Sequence, residues 1–104
     1  MKDRVKAYLM REFGDESVVR DIYAEYRAST AAKLAESGQA LASGDFLLLD
    51  RAAHALKGTA LMVSDDEALA AALALRDAAK AADAAAATAA LERVRAVYEA
   101  GGEI

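Results

Sequence analysis

The sequence predicts an all-α protein: an antiparallel up-down-up-down four-helix bundle with an additional short N-terminal helix. Proline, the strongest helix breaker, is absent, and alanine, the best helix former, fills more than a quarter of the 104 positions. The expected helices are also joined by very short connections, so that successive helices must run antiparallel as neighbours. This length predicts one domain over residues 1–104, with the bundle at about 16–100.

Glycine and potential capping residues divide the chain into five helical stretches. Gly14 ends the first stretch, and the Asp15 carboxylate can accept an amide at the start of the second. Ser64 and Glu67 have the spacing of a capping box, which predicts that Ser64 starts the fourth helix. The expected helices are 2–13, about 16–42, 46 to about 63, a fourth running to about 81, and 84–100.

Composition and charge argue against several functional classes. The net charge of −4 and the dispersed basic residues give no support for nucleic-acid binding. Because the chain has one histidine and no cysteine, a disulfide framework, a thiol nucleophile and a structural zinc site are not expected. Its longest charge-free run, 84–91, is too short to span a bilayer, so we expect no membrane segment and a cytoplasmic location.

The only histidine, His54, is expected on the exposed side of the third helix. Apolar residues recur along this helix at spacings of three and four, which predicts one buried stripe. At about 100° per residue, His54 lies roughly 130° from the centre of this stripe and should face solvent. Leu47 and Leu61 flank it on the same exposed face, and Asp50 lies one turn before it. The expected buried stripe consists of Phe46, Leu49, Ala53, Leu56, Ala60 and Val63.

Gly58 and Lys57 make this exposed face unusual. A glycine inside a helix costs about 1 kcal/mol relative to alanine, so Gly58 has no local advantage. It follows His54 by four residues and removes a side chain from the surface beside the imidazole. Lys57 places a cation on the same side, where it could neutralise an attached anion. An exposed imidazole with a cation and open space suits a nucleophile that accepts phosphate, although Asp50 would oppose that anion.

The segment around His54 resembles a known signature. Residues 53–60, AHALKGTA, look like the A-H-x-L-K-G-[ST]-A motif of histidine-containing phosphotransfer (HPt) domains. Residues 41–45, LASGD, resemble the turn that precedes this helix in the family, and Tyr26 stands where the family usually has phenylalanine. The resemblance to the four-helix plan extends over about 16–98.

The resemblance implies a role for each matching residue. His54 would be phosphorylated on Nε2, Lys57 would position or stabilise the phosphoryl group, and Gly58 would leave room for the partner. HPt domains carry phosphoryl groups between receiver-domain aspartates without hydrolysing ATP, so the chain is expected to be a carrier and not an enzyme. Receiver domains would be the partners and would supply Mg²⁺, so no cofactor is expected. Leu47, Asp50 and Leu61 would contact the receiver domain.

Departures from the family pattern leave two other interpretations open. Met62, Ser64 and Arg76 replace an asparagine, a glycine and a glutamate that are common in the family. The glutamate can bond the imidazole Nδ1, whereas Arg76 could reach a phosphate only if it leans toward the third helix. One alternative is therefore a phosphotransfer-inactive module that still binds receiver domains or another protein. The other is an unrelated helical bundle that assembles with itself.

Overall fold

The computed structural model describes residues 1–103, which form five α-helices and no strand. The last four are the long antiparallel helices that the sequence predicts, and the boundaries agree to within one or two residues. Gly38 does not interrupt the second helix, which is continuous over 28 residues. The helices are α1 (Asp3–Phe13), α2 (Glu16–Ser43), α3 (Phe46–Met62), α4 (Asp66–Lys80) and α5 (Ala84–Gly101).

An aspartate caps the N-terminus of each of the four long helices. In every case the carboxylate accepts a hydrogen bond from a main-chain amide in the first turn, which would otherwise lack a partner. Helices α1 and α2 each end at a glycine in the left-handed conformation, with φ of 68° at Gly14 and 70° at Gly44. These caps explain the tight connections between α1 and α2 and between α2 and α3. The capping residues are Asp15, Asp45, Asp65 and Asp83.

The predicted capping role of Ser64 is wrong. Ser64 lies in the left-handed region, with φ of 55°, whereas an N-cap residue has extended backbone geometry. Asp65 occupies the extended position, and its carboxylate accepts from the Ala68 amide at 3.1 Å. The buried Asp65 also pairs with Lys2 at 2.8 Å. The N-cap of α4 therefore lies one residue later than the capping-box spacing predicted, and Ala68 stands where a capping box would need Glu or Gln.

The four long helices form a closed ring in which α3 packs between α2 and α4, and α5 packs between α4 and α2. The domain measures 43 Å by 19 Å by 18 Å, and its length is about that of the 28-residue α2. Its main core combines leucines with small alanines of α4 and α5, which let the helices approach closely. The predicted core residues Leu49, Ala53, Leu56 and Ala60 of α3 are buried, and so is Val63, which follows the helix. Phe46, expected in the core, is only partly buried because it begins α3 at the margin of the bundle.

The short helix α1 covers one end of the bundle. Its buried Val5 and Leu9 belong to a second apolar cluster with Tyr23 and Tyr26 of α2 and with Val63, which follows α3. The same end receives the last residues of α5. The Tyr23 hydroxyl donates to the carbonyl oxygens of residues 101 and 102, at 3.1 and 2.7 Å. These contacts fix the end of the bundle that lies beyond the C-terminus of α3.

Candidate functional site

Helix α3 has one buried face and one open face. Its neighbours α2 and α4 cover the buried face, whereas α5 lies across the ring and does not pack on α3. The Thr30 hydroxyl of α2 donates to that of Thr59, which in turn donates to the Leu56 carbonyl. This chain of hydrogen bonds supports the register between α2 and α3. The rotation of α3 leaves the stripe containing His54 on the outer surface.

His54 is exposed near the middle of this outer stripe. Leu47 and Leu61 lie two turns before and two turns after it, and their exposed fractions are 64% and 52%. Both values are high for leucine, because burial is what normally stabilises a large apolar side chain in a folded domain. Residues 47, 54 and 61 are spaced by sevens, which places them along one line on the helix surface. The structure thus brings the imidazole and the two leucines together on one open face.

Gly58 leaves empty space beside His54. It is exposed, and a Cβ atom built on it would meet, among residues 1–103, no heavy atom within 4 Å beyond the adjoining part of α3. Packing against another helix therefore does not account for this glycine. Gly38 of α2 differs, because a Cβ there would lie 2.8 Å from the Arg95 guanidinium. Gly58 has neither a positive φ nor a close neighbour that would require a glycine.

Three charged groups lie on the side of the outer face that is next to α4. Lys57 is half-buried and, within residues 1–103, makes no ion pair. Asp50 is also half-buried, and its Oδ1 atom lies 3.2 Å from Nε of Arg76 in α4. Arg76 therefore leans toward α3, which is the geometry that contact with a phosphate on His54 requires. Asp50 was expected to contact a partner, and in the structure it is held by Arg76.

The other departures from the family signature lie near the end of α3. Met62 is 39% exposed and extends the apolar surface around Leu61. Ser64 is exposed and adopts the left-handed conformation that the glycine of the pattern would tolerate best. The connection between α3 and α4 thus has the backbone geometry typical of glycine, although the residue at this position is serine. Met62 adds apolar area to the face that carries His54.

The imidazole of His54 has no hydrogen-bond partner among residues 1–103. The position at which many HPt domains have a glutamate is occupied by Arg76, whose Nε is directed at Asp50. No group of three or more metal-ligating side chains occurs in the described part of the chain. None of the five helices is both long and apolar enough to cross a membrane.

Comparison with protein families identifies the bundle. The model of the Hpt domain family matches residues 21–100, which include all of α3 and α4 and most of α2 and α5. Searches of curated proteins and of solved structures found no match. The family match overturns the alternative of an unrelated helical bundle. Because that match covers more than three quarters of the 104 residues, the chain belongs to the Hpt domain family, whose members carry phosphoryl groups on histidine in two-component signalling.

Proposed function

We propose that this domain is a phosphorelay intermediate in which His54 accepts a phosphoryl group from a receiver-domain aspartate and passes it to another receiver domain. In the first step the lone pair of Nε2 attacks phosphorus, the N–P bond forms, and the bond between phosphorus and the aspartyl oxygen breaks. The aspartate leaves as a carboxylate. The second step reverses this chemistry on another receiver, so no ATP is consumed by the domain itself.

The exposure of His54 beside the open space at Gly58 is the observation that carries this proposal. A receiver must bring its aspartyl phosphate to within bonding distance of Nε2, so its surface has to lie close over α3. Among residues 1–103, no atom beyond the adjoining part of α3 lies within 4 Å of a Cβ at Gly58, which leaves room for that approach. The sole histidine of the chain is thus placed where a second protein can reach it.

The neighbouring residues supply charge and contact area in this proposal. Lys57, one turn after His54, would offset the negative charge that the phosphoryl group brings to the surface. Leu47 and Leu61 would pack against the receiver on either side of the imidazole, because their large exposed fractions provide apolar area for docking. The receiver would bring Mg²⁺ with its own acidic pocket, and the domain itself would need no cofactor.

Replacement of His54 tests the proposal directly. The domain is mixed with phosphorylated receiver domains, and acid-labile phosphate on the domain is followed by ³¹P NMR and radiolabel transfer. His54→Gln is expected to abolish uptake while the helical circular dichroism and the melting temperature stay unchanged, since His54 is exposed. Glu92→Gln, at an exposed position of α5, is the matched control and should take up phosphate normally. Uptake by His54→Gln would refute the assignment.

A phosphotransfer-inactive module that binds receiver domains is the second candidate. The lack of a hydrogen-bond partner for the His54 ring among the described residues favours it, because such a bond fixes the ring orientation and tautomer. This candidate predicts that receivers bind the domain without transferring phosphate. Isothermal titration with an unphosphorylated receiver, run beside the transfer assay, separates binding from chemistry.

A further inference from the structure

We propose that Arg76 exchanges between two anions: the Asp50 carboxylate when His54 is unmodified, and the phosphoryl group when His54 carries one. This inference rests on the proposed function of His54 and deepens it. It gives Arg76 a role at the position where many members of the family have a glutamate. It also makes Asp50 a competitor of the phosphoryl group, and not a partner contact as the sequence suggested.

The Asp50–Arg76 pair brings a guanidinium to the turn of α3 that precedes His54. Asp50 precedes His54 by four residues, so the two side chains are neighbours on one face of α3. Arg76 reaches across from α4, and its Nε lies 3.2 Å from Asp50 Oδ1. The terminal guanidinium nitrogens make no hydrogen bond among residues 1–103. They are therefore available to a second acceptor at the same surface.

The Asp50–Arg76 ion pair is weak enough for Arg76 to exchange Asp50 for another anion. Both side chains are about a quarter exposed, at 27% for Arg76 and 25% for Asp50, and a single hydrogen bond joins them. Partly solvated pairs of this type contribute little free energy, because water screens the charges and competes for the groups. A phosphoryl group carries more negative charge and three acceptor oxygens, which match the fork of a guanidinium better than one carboxylate oxygen does.

The exchange gives the two residues opposite effects on phosphorylation. Arg76 stabilises the phosphorylated state, because it gains a stronger partner there. Asp50 stabilises the unmodified state, because it holds Arg76 away and repels the incoming anion. A purely structural ion pair would behave differently. Loss of either partner would then shift the phosphorylation equilibrium in the same direction.

The first arm of the test uses a chemical donor and needs no receiver. Phosphoramidate phosphorylates the imidazole: its own N–P bond breaks, an N–P bond to Nε2 forms, and ammonia leaves. The Arg76 Nε–H resonance is followed in ¹H–¹⁵N spectra before and after this treatment. We expect the resonance to move in the wild-type domain and to stay in place in His54→Gln. An Arg76 resonance that does not move on phosphorylation of the wild type would overturn the exchange.

The second arm measures the equilibrium of phosphoryl exchange with a receiver. Asp50→Asn should raise the equilibrium constant for His54 phosphorylation about threefold, and Arg76→Gln should lower it about threefold, as expected for partly exposed charges. Glu92→Gln and Arg93→Gln, at exposed positions of α5, remove the same charges far from α3 and serve as controls. Shifts of Asp50→Asn and Arg76→Gln in the same direction would overturn the inference. If Arg76 responds to phosphoramidate but no receiver transfers phosphate, the relay function fails and the exchange stands.

Discussion

Gly58 follows His54 by one helical turn on the open face of α3, and no other element of residues 1–103 occupies the space beside it. A glycine inside a helix costs stability, and in this structure no packing contact recovers that cost. Its α-carbon lies on the same surface as the imidazole of His54. Under the proposed function, the glycine would serve docking at the expense of helix stability.

Replacing Gly58 should therefore change the stability of the domain and its phosphotransfer in opposite directions. Gly58→Gln is expected to raise the free energy of unfolding by up to about 1 kcal/mol, because it removes the entropic cost of the helical glycine. The same variant should block phosphotransfer, because the new side chain fills the space beside His54. Thermal melts and a phosphotransfer time course measure the two effects.

Gly58→Ala is the matched control for this prediction. It should bring a similar gain in stability and a smaller loss of transfer, since only a methyl group enters the open space. Normal transfer by Gly58→Gln would show that Gly58 is not a docking position. A lower melting temperature would contradict the open surroundings of this residue.

Charge introduced at the exposed leucines should weaken receiver binding. Leu47→Glu and Leu61→Glu remove apolar area and place an anion on each side of His54. We expect each variant to bind a receiver about tenfold more weakly, since apolar anchors of this size contribute about 1–2 kcal/mol in an interface. Isothermal titration provides the measurement. Ala89→Glu, at an exposed position of α5, adds the same charge away from α3 and should bind normally.

Much of the fold could be predicted because its signals are local. The aspartates before α2, α3 and α5 act through the amides of the following turn, so sequence spacing alone locates these helix starts. The outward direction of His54 follows in the same way from helical periodicity, which also identified Leu49 and Leu56 as core residues.

The remaining features depend on contacts between helices or on the backbone of connections. Because Ser64 has a left-handed backbone conformation, Asp65 and not Ser64 is the N-cap of α4. The residue type of Ser64 does not reveal this conformation. The Asp50–Arg76 pair depends on how α4 is rotated against α3 and on side-chain conformations, neither of which the sequence specifies locally. Phe46 has the core periodicity, but its place at the start of α3 leaves it partly exposed.

Truncation of Leu56 tests the rotation of α3. This side chain is 2% exposed and lies in the main core, so Leu56→Ala should cost about 2–5 kcal/mol through lost burial and the cavity that remains. Leu47→Ala is the control on the same helix, and its cost should stay within about 0.5 kcal/mol because that side chain is largely exposed. Urea titration of both variants gives the comparison. Equal costs would mean that the open and buried faces of α3 are assigned wrongly.

Tyr26 makes the stability of the domain sensitive to alkaline pH. Burial raises the pKa of the Tyr26 hydroxyl to about 12, and the negative charge of Asp65 contributes in the same direction. In the unfolded chain the tyrosine loses its proton near pH 10. Between these values the folded state binds more protons than the unfolded state, so stability is fully present below about pH 10 and falls as the pH rises toward 12. The loss from this group should reach about 1.4 kcal/mol at pH 11.

Comparison with Tyr26→Phe isolates this contribution from other groups that titrate in the same range. The variant lacks the ionisable hydroxyl, so its free energy of unfolding should decline less between pH 8 and pH 11 than that of the wild type. The difference between the two declines, measured by urea titration, should be about 1.4 kcal/mol. All other ionisable groups are the same in both proteins, so their contributions cancel in the comparison. The same decline in both would show that the Tyr26 hydroxyl ionises as readily in the folded domain as in the unfolded chain.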